Sequence, residues 1–279
     1  MRAELRERGL EPRRTLGQNF LADAGLCEKT AALACPGGAG SVLEIGAGLG
    51  ALTAPLLARG ARVVAVETDS NLVTALRVKF AADLAAGKLE VIEADARNLD
   101  LGAALAALPA PRILAGNLPY HLSGLFLRRA VELSAAVERS VFLLQLEVVE
   151  RLCAEPGTAA YGALTVFARA VYAPRRGFIV RRGAFYPQPS VDSAVVVLTP
   201  LQEPVVIGEE FSLLVRAAFE KRRKTLRNAW RDLLGLELAE LERAAAAAHI
   251  DLGARGETLA VSDFDGMARE IARVRESGS

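Results

Sequence analysis

Four short apolar segments, separated by helix-like stretches, constrain the fold of this chain more than any other feature of its sequence. They are SVLEIG (41–46), ARVVAVE (61–67), KLEVIEAD (88–95) and RILAGN (112–117). The stretches between them are rich in alanine and leucine at helical spacing. Continuous Val, Ile and Leu strands of this kind form parallel sheets with both faces covered by helices. The sequence therefore predicts an α/β fold with a Rossmann-like, doubly wound, mostly parallel sheet.

Two further strand-like segments follow, RSVFLLQ (139–145) and SAVVVLTP (193–200), with a helical pattern over residues 161–172 between them. After the proline-bounded segment that ends at residue 204 the pattern is helical, and no convincing strand remains. We therefore predict two domains. Residues 1–204 form the sheet-containing domain, and residues 205–279 form a small all-helical C-terminal domain.

Composition narrows the class of protein. The 279 residues are 52% hydrophobic, with a mean hydropathy of +0.25, which suits a folded chain with a sizeable core. There is no apolar run of about 18 residues and no apolar segment behind the charged N-terminus, so we expect no membrane association, no secretory signal and a cytoplasmic location. Three cysteines without CxxC spacing and only two histidines argue against a disulfide framework or a metal site.

The net charge of +1 hides two basic clusters. Residues 169–186 include five arginines and no acid, and residues 216–231 include seven basic residues and one glutamate. Such clusters are compatible with docking on a phosphate backbone. They are equally compatible with solvated helix faces and arginines on sheet edges.

A glycine-rich turn, GAGLG (46–50), follows the first predicted strand. Gly46 and Gly48 let the backbone turn tightly and approach a ligand closely. Glu67 ends the second strand and is placed to accept hydrogen bonds from ribose hydroxyls. Asp95 follows the third strand, where it either accepts a hydrogen bond from an adenine amino group or only caps a turn. This pattern indicates a nucleoside cofactor but does not separate NAD from S-adenosylmethionine.

The segment GNLPY (116–120) ends the fourth strand at the same edge of the sheet. Pro119 restricts Leu118 to extended conformations, which gives the Leu118 carbonyl a defined direction. The Asn117 amide oxygen and this carbonyl can both accept hydrogen bonds from one exocyclic amine. Two acceptors favour the positive charge that develops when the amine attacks a methyl sulfonium, so the segment indicates N-methylation of a base.

A base that is methylated in this way needs an aromatic surface on which to stack. Tyr120 offers one ring, and a second ring is available from Phe185 or Tyr186 in FYPQPSVDSAV. The alternatives are that GNLPY is only a strand-ending turn and that Phe185 is only a core residue.

These segments together resemble the ribosomal RNA adenine dimethyltransferase family over nearly the whole chain. The matching segments are TLGQNFL (15–21), VLEIGAGLG (42–50), GNLPY (116–120), LLQLEVVERLCAEPGTAAYGALTV (143–166), FYPQPSVDSAVV (185–196) and RRKTLRN (222–228). The resemblance implies an enzyme that uses S-adenosylmethionine, without a metal, to dimethylate N6 of two adjacent adenosines near the 3′ end of small-subunit (16S) ribosomal RNA. It also implies that the RNA is recognised within a pre-30S particle during ribosome biogenesis, and we expect the enzyme to be a monomer.

The resemblance assigns roles to individual residues. Those implied to bind the cofactor are Gln18, Asn19, Leu21, Gly46, Gly48, Glu67, Asp95 and Asn117. Those implied to hold the target adenine are Asn117, Leu118 and Tyr120, with Phe185 as the second stacking aromatic. The basic helix is expected to contact RNA through Arg222, Arg223, Lys224 and Arg227.

The chain departs from the family pattern at two positions near these segments. His121 stands where the family often has asparagine, and we interpret it as a polar residue at the rim of the pocket. Leu146 stands where the family often has lysine, which affects docking on the ribosomal particle rather than chemistry.

Three alternatives to the small-subunit enzyme are a large-subunit methyltransferase of the antibiotic-resistance type, an NAD-dependent oxidoreductase, and a non-catalytic RNA-binding assembly factor. The segment IDLGARGETLAVSDFDGMA (250–268) resembles the small-subunit branch and favours it over the resistance type. The segment NLPY supplies no general acid or base for hydride transfer, which disfavours an oxidoreductase. The basic helix would serve an assembly factor equally well.

Overall fold

The computed structural model of the chain describes residues 2–7, 9–13, 17–220 and 223–277. The chain divides into two compact units. One consists of Met1–Val149 and Ala173–Pro200, and the other of Glu150–Tyr172 and Leu201–Ser279. The predicted boundary at residue 204 lies close to this division, but residues 150–172 group with the C-terminal helices rather than with the sheet.

A seven-stranded sheet forms the centre of the first unit. The strands in chain order are β1 (Phe20–Leu21), β2 (Ser41–Ile45), β3 (Arg62–Glu67), β4 (Leu89–Glu93), β5 (Arg112–Asn117), β6 (Arg139–Gln145), β7 (Tyr172–Val180), β8 (Phe185–Tyr186) and β9 (Ser193–Pro200). In the sheet the strand order is β4-β3-β2-β5-β6-β9-β7. Strands β2 to β6 pair in parallel, and β9 is antiparallel to β6. The remaining strands, β1 and β8, form a separate antiparallel pair.

The order of the strands indicates where along the sheet a ligand can bind. From β2 the chain moves outward to β3 and β4 and then crosses back to β5 on the other side of β2. At the last residue of β2, Ile45 is opposite Val66 on one side and Gly116 on the other. In doubly wound sheets ligands bind where the order reverses, at the carboxyl ends of the strands. Here that place lies between the ends of β2 and β5.

Helices cover the sheet, and aspartates begin three of them. The helices assigned wholly or mainly to the first unit are α1 (Arg2–Glu7), α2 (Ala24–Ala34), α3 (Thr53–Ala58), α4 (Ser70–Lys79), α5 (Ala81–Ala85), α6 (Leu101–Ala106), α7 (Ser123–Glu132) and α8 (Leu146–Leu152). The Asp23, Asp69 and Asp100 carboxylates accept hydrogen bonds from the first turns of α2, α4 and α6. Buried valines of the sheet, such as Val42 and Val63, pack with α2 and α3 in one apolar cluster.

The second unit is helical and has an aromatic core. Its helices are α9 (Ala163–Val171), α10 (Glu209–Glu220), α11 (Leu226–Trp230), α12 (Leu238–Ala247) and α13 (Val261–Ser277). Phe167 and Phe264 both pack edge-on against Phe211. The Tyr161 hydroxyl donates a hydrogen bond to the Leu259 carbonyl at 2.9 Å, and the Tyr161 ring contacts Phe219. These contacts explain why residues 150–172 belong to this unit.

The strands predicted over residues 139–145 and 193–200 are observed with those bounds as β6 and β9. The sequence does not predict strand β7, because YAPRRGFIV carries two adjacent arginines and a glycine instead of an apolar run. This strand lies at the edge of the sheet, where charged residues are common. Among the described residues, no helix has the length and apolarity that crossing a membrane requires.

Candidate active site

A pocket opens at the carboxyl ends of β2, β3, β4 and β5, within the first unit. Ten of the predicted site residues line it: Gln18, Asn19, Leu21, Gly46, Gly48, Glu67, Asp95, Asn117, Leu118 and Tyr120. These residues come from five separate segments of the chain, so the parallel topology brings them together. Phe185 is not among the residues that line the pocket.

The glycine turn after β2 forms one wall of the pocket. Gly48 has a φ of +58°, in the left-handed region that favours glycine. A Cβ atom at this position would lie 3.1 Å from the ring of Phe20, so a side chain would also crowd the segment that faces the turn. Because glycine has no side chain, a ligand can approach the backbone of this turn closely.

The carboxylate of Glu67, at the end of β3, is tied to the turn. One oxygen accepts a hydrogen bond from the Gly48 N–H at 2.8 Å, and the other accepts from the N–H groups of Thr68 at 2.9 Å and Asp69 at 3.0 Å. Burial raises the pKa of Glu67, although these three N–H groups favour its charged form. The side chain has a fixed orientation, and its carboxyl group can accept further hydrogen bonds from ribose hydroxyls.

The carboxylate of Asp95, just beyond β4, accepts hydrogen bonds from Arg97 at both of its oxygens. One Asp95 oxygen accepts from the backbone N–H of Arg97 at 2.9 Å and from its Nε at 3.0 Å, while the other accepts from Nε at 2.8 Å and Nη2 at 2.5 Å. Hydrogen bonds from Arg97 lower the pKa of Asp95, so the carboxylate stays ionised. An adenine amino group would have to share or displace these contacts.

The segment that precedes β1 closes another side of the pocket. The Asn19 side chain donates to the Gly17 carbonyl at 3.2 Å, and the Gln18 side chain donates to Asp69 at 3.4 Å. Leu21, in β1, is buried and lies opposite Phe185 in β8. Gln18, Asn19 and Leu21 are thus brought beside the glycine turn.

Asn117 and Leu118 present two hydrogen-bond acceptors to the pocket. The Asn117 amide nitrogen donates to the backbone carbonyl of Asn19 at 3.0 Å, which directs the amide oxygen away from that contact. The Leu118 N–H donates to the Leu143 carbonyl at 3.3 Å. Within the described parts of the chain, neither the Asn117 Oδ1 atom nor the Leu118 carbonyl oxygen accepts a hydrogen bond. Both oxygens are therefore available to an amine.

Tyr120 follows these acceptors, and its ring lines the pocket. Its hydroxyl lies 2.7 Å from the hydroxyl of Ser193, the first residue of β9. Burial raises the pKa of Tyr120, so the phenol is neutral at physiological pH. The ring is therefore neutral and is held at its polar end.

The two aromatic residues of β8 have different surroundings. Phe185 is 5% exposed and packs in the main apolar cluster of the sheet. Tyr186 packs against a second cluster that includes Phe20 and Leu49. The two neighbouring side chains therefore pack in different clusters, and Phe185 does not line the pocket. The role of Phe185 as a stacking residue stays a prediction, because its ring is buried in the main apolar cluster and is not itself part of the pocket lining.

The predicted RNA-contacting residues belong to the second unit. Arg223 and Lys224 are exposed and lie in the connection between α10 and α11, not in the predicted basic helix, whereas Arg227 of α11 forms an ion pair with Glu242 of α12. Arg222 lies outside the described residues. Near the pocket, His121 is exposed and lies close to Gly17, as expected for a residue at the rim.

One residue of the pocket, Glu44 in β2, is absent from the set that the sequence predicts. It is 2% exposed, and its carboxyl group accepts a hydrogen bond from the Thr53 hydroxyl at 2.6 Å. Burial raises the pKa of Glu44 to about 8, with the hydrogen bond from Thr53 acting in the opposite direction. A single glutamate inside the apolar strand SVLEI is the signal that could have revealed it.

Among the residues that the structure describes, no group of three or more His, Cys, Asp or Glu could hold a metal ion.

Comparison with known proteins identifies relatives over nearly the full length of the chain. The model of the ribosomal RNA adenine dimethylase family matches residues 9–271. A ribosomal RNA small subunit methyltransferase A from Anaeromyxobacter sp. (strain K) is 43% identical over 280 aligned residues, covering 97% of each chain. A protein of the same name from Geobacter metallireducens is 40% identical and covers 96% of this chain and 98% of its own.

Two solved structures have a similar fold. A dimethyladenosine transferase from Plasmodium falciparum superposes with a TM-score of 0.75 at 24% identity, over 92% of this chain and 98% of its own. The 23S rRNA methyltransferase ErmE superposes with a TM-score of 0.68 at 25% identity, over 91% of this chain and 99% of its own. The methyltransferase fold is shared by both, and the sequence relatives with higher identity are small-subunit enzymes.

Proposed function

Because the chain belongs to the ribosomal RNA adenine dimethylase family, we propose that it dimethylates N6 of two adjacent adenosines near the 3′ end of small-subunit (16S) ribosomal RNA. The observation that carries this proposal is the pair of available acceptors, Asn117 Oδ1 and the Leu118 carbonyl oxygen, beside the glycine turn. An exocyclic amine has two hydrogens, and two acceptors match them.

The residues around the glycine turn fit S-adenosylmethionine. When bound, this cofactor supplies a methyl group on a positively charged sulfur. The backbone at Gly46 and Gly48 carries no side chains, so a ligand can approach it closely. The Glu67 carboxyl group, whose orientation is fixed, suits the two ribose hydroxyls. Asp95 suits the adenine amino group.

Asn117 and Leu118 act on the amine of the target adenosine. This amine is a weak nucleophile because its lone pair is delocalised into the ring. Acceptors at both hydrogens favour the pyramidal amine and stabilise the positive charge that develops on nitrogen during attack. The pocket needs no strong base for this step, because the methylated ammonium is acidic enough to lose its proton afterwards.

Tyr120 provides the surface on which the target base stacks. Stacking on an aromatic side chain contributes about 1 to 3 kcal/mol per base. This stabilisation helps to offset the free energy that is lost when the base is removed from the stack of its neighbours. Phe185 is proposed as the second stacking residue, which requires its ring to leave the apolar cluster in which it packs.

The helical unit is proposed to dock on the RNA. Arg223 and Lys224 are exposed, so both are available to contact phosphates, whereas the charge of Arg227 is compensated by Glu242. We further propose that the substrate is the RNA within a pre-30S particle, that the enzyme acts as a monomer, and that it works in the cytoplasm.

Nucleoside mass spectrometry tests this function. Small ribosomal subunits that lack the modification are incubated with the protein and S-adenosylmethionine, with large-subunit RNA as the control. We expect dimethyladenosine in the small-subunit RNA alone. Modification of the large-subunit RNA alone would instead support the resistance-type reaction, and no modification with retained subunit binding would support an assembly factor.

A further inference from the structure

The hydroxyl of Ser193 is a buried polar group that the mechanism above does not use. Ser193 is fully buried at the start of β9. Its Oγ lies 2.7 Å from the phenolic oxygen of Tyr120, a residue far away in the chain. Within the described residues, the Tyr120 hydroxyl has no other hydrogen-bond partner. The ring of Tyr120 is thus attached to the sheet at its hydroxyl end.

The position of Ser193 is itself held firmly. In the antiparallel pairing of β9 with β6, Ser193 lies opposite Gln145, and the preceding Asp192 carbonyl accepts from the Leu146 N–H at 3.0 Å. The Asp192 carboxylate accepts from the Arg182 N–H at 2.9 Å and from the Arg181 guanidinium at 2.6 Å. Backbone pairing on one side and the Asp192 contacts on the other hold the backbone of Ser193 in place.

We propose that Ser193 is a positioning residue for methyl transfer, which acts by holding the ring of Tyr120 at the angle at which the target adenine stacks. The inference deepens the proposed function and rests on the stacking role of Tyr120. Without the hydrogen bond, the phenol ring turns about its side-chain bonds and has to be ordered when the base binds. With it, the ring is ordered in advance, and the binding energy of the base is available for orientation.

The surroundings of Ser193 argue that this hydroxyl is kept for Tyr120. The other residues of the buried part of β9 are alanine, valine and leucine, which need no partner. A hydroxyl at a buried position costs free energy unless it is hydrogen-bonded, and Tyr120 provides the bond. Because the phenol is neutral, its hydroxyl can either donate or accept in this pair.

The test compares single-turnover methyl transfer to unmodified small subunits by a set of variants. We expect Ser193→Ala and Tyr120→Phe each to slow transfer by about tenfold, the effect of removing one hydrogen bond between positioned groups. The affinity for S-adenosylmethionine should stay unchanged, because neither hydroxyl contacts the residues proposed to hold the cofactor. Ser140→Ala removes another fully buried serine hydroxyl from the same sheet and should leave the rate unchanged.

The double variant Ser193→Ala with Tyr120→Phe decides whether the two hydroxyls act as one unit. If they do, the double variant is about as slow as either single variant. Effects that multiply, or a normal rate in Tyr120→Phe, would overturn the inference, and the second result applies even if Ser193→Ala does not fold.

Tyr120→Ala separates the inference from its premise. If this variant were inactive while Tyr120→Phe was normal, only the role of Ser193 would fail, whereas normal activity in Tyr120→Ala would remove the stacking role itself.

Discussion

At the residue scale, the two ends of the Asn117 amide have different roles. Its amide nitrogen is bound to the Asn19 carbonyl, and its amide oxygen remains available in the pocket. An oxygen whose direction is already fixed stabilises developing charge without reorganising during the reaction. The proposed chemistry therefore depends on one amide more than on any titratable group.

Replacement of Asn117 by alanine tests this dependence. We expect the rate of methyl transfer to fall by about 10² to 10³, the usual effect of removing one group that stabilises developing charge. Binding of the protein to small subunits should be unchanged, which also separates catalysis from an assembly role. Asn71→Ala, at an exposed asparagine of α4, is the matched control. A normal rate in Asn117→Ala would show that the amine is positioned in some other way.

Replacement of Arg97 is expected to strengthen a property of the site, its affinity for the cofactor, whereas replacement of Asn117 weakens catalysis. Both oxygens of Asp95 accept hydrogen bonds from Arg97. Under the proposed role of Asp95, the arginine therefore competes with the adenine amino group of the cofactor. We expect Arg97→Ala to bind S-adenosylmethionine about two- to fivefold more tightly, since an exposed ion pair is weak and its loss has only a small effect. Isothermal titration calorimetry measures this change.

The control for Arg97 is the same substitution in an Asp95→Ala background. There it should have no effect on affinity, because the competing contact no longer exists. Weaker binding by Arg97→Ala in the wild-type background would mean that Arg97 supports the cofactor instead of competing with it.

At the scale of elements, the Glu44 carboxyl group of β2 is linked to Thr53 of α3 beneath the glycine turn. Burial raises the pKa of Glu44 to about 8, against an ordinary value of 4.5 in an exposed chain. The folded state therefore holds a proton that the unfolded state has released between these pH values. The stabilising effect is complete below about pH 4.5 and disappears as pH rises to about 8.

Glu44→Gln tests this linkage, since glutamine resembles the protonated carboxyl group and does not titrate. Relative to this variant, the wild-type protein should become less stable as pH rises from 5 to 8, by at most about tenfold per pH unit in the unfolding equilibrium constant. Urea unfolding across this range provides the measurement. Glu138→Gln, at an exposed glutamate, controls for removal of a surface carboxylate. A stability difference that stays constant with pH would contradict the assignment.

The elements also show what the sequence can and cannot predict. Strands β2 to β6 are mostly apolar, and the ends of parallel strands meet at one edge, so Gly48, Glu67 and Asn117 can be placed together. The pairing of β1 with β8 cannot be predicted, because each strand has two residues and no periodic pattern. The bond between Tyr120 and Ser193 escapes prediction for a similar reason, since it depends on the register of β9 against β6.

At the scale of the whole molecule, charge is distributed unevenly over a chain whose net charge is only +1. The two basic clusters of the sequence have different surroundings. Arg175 and Arg176 are exposed on the edge strand β7, and the Arg223–Lys224 pair is exposed in the helical unit. Arg169 and Arg227 instead form ion pairs with glutamates, and their charges are already compensated. The number of basic residues in a segment therefore overstates its capacity to bind phosphate.

This difference leads to a prediction about RNA docking. Reversing the charges of Arg223 and Lys224 to glutamate should weaken binding to small subunits. The dependence of log K on log salt should become shallower by about one unit for each phosphate that the variant no longer neutralises. The matched control reverses Arg62 and Lys88, two exposed residues at the amino edge of the sheet, away from the pocket. Filter binding at several salt concentrations distinguishes the two variants. If both changed the slope equally, docking would depend on overall charge, and if neither did, the Arg223–Lys224 pair would be a solvated surface without a role in binding.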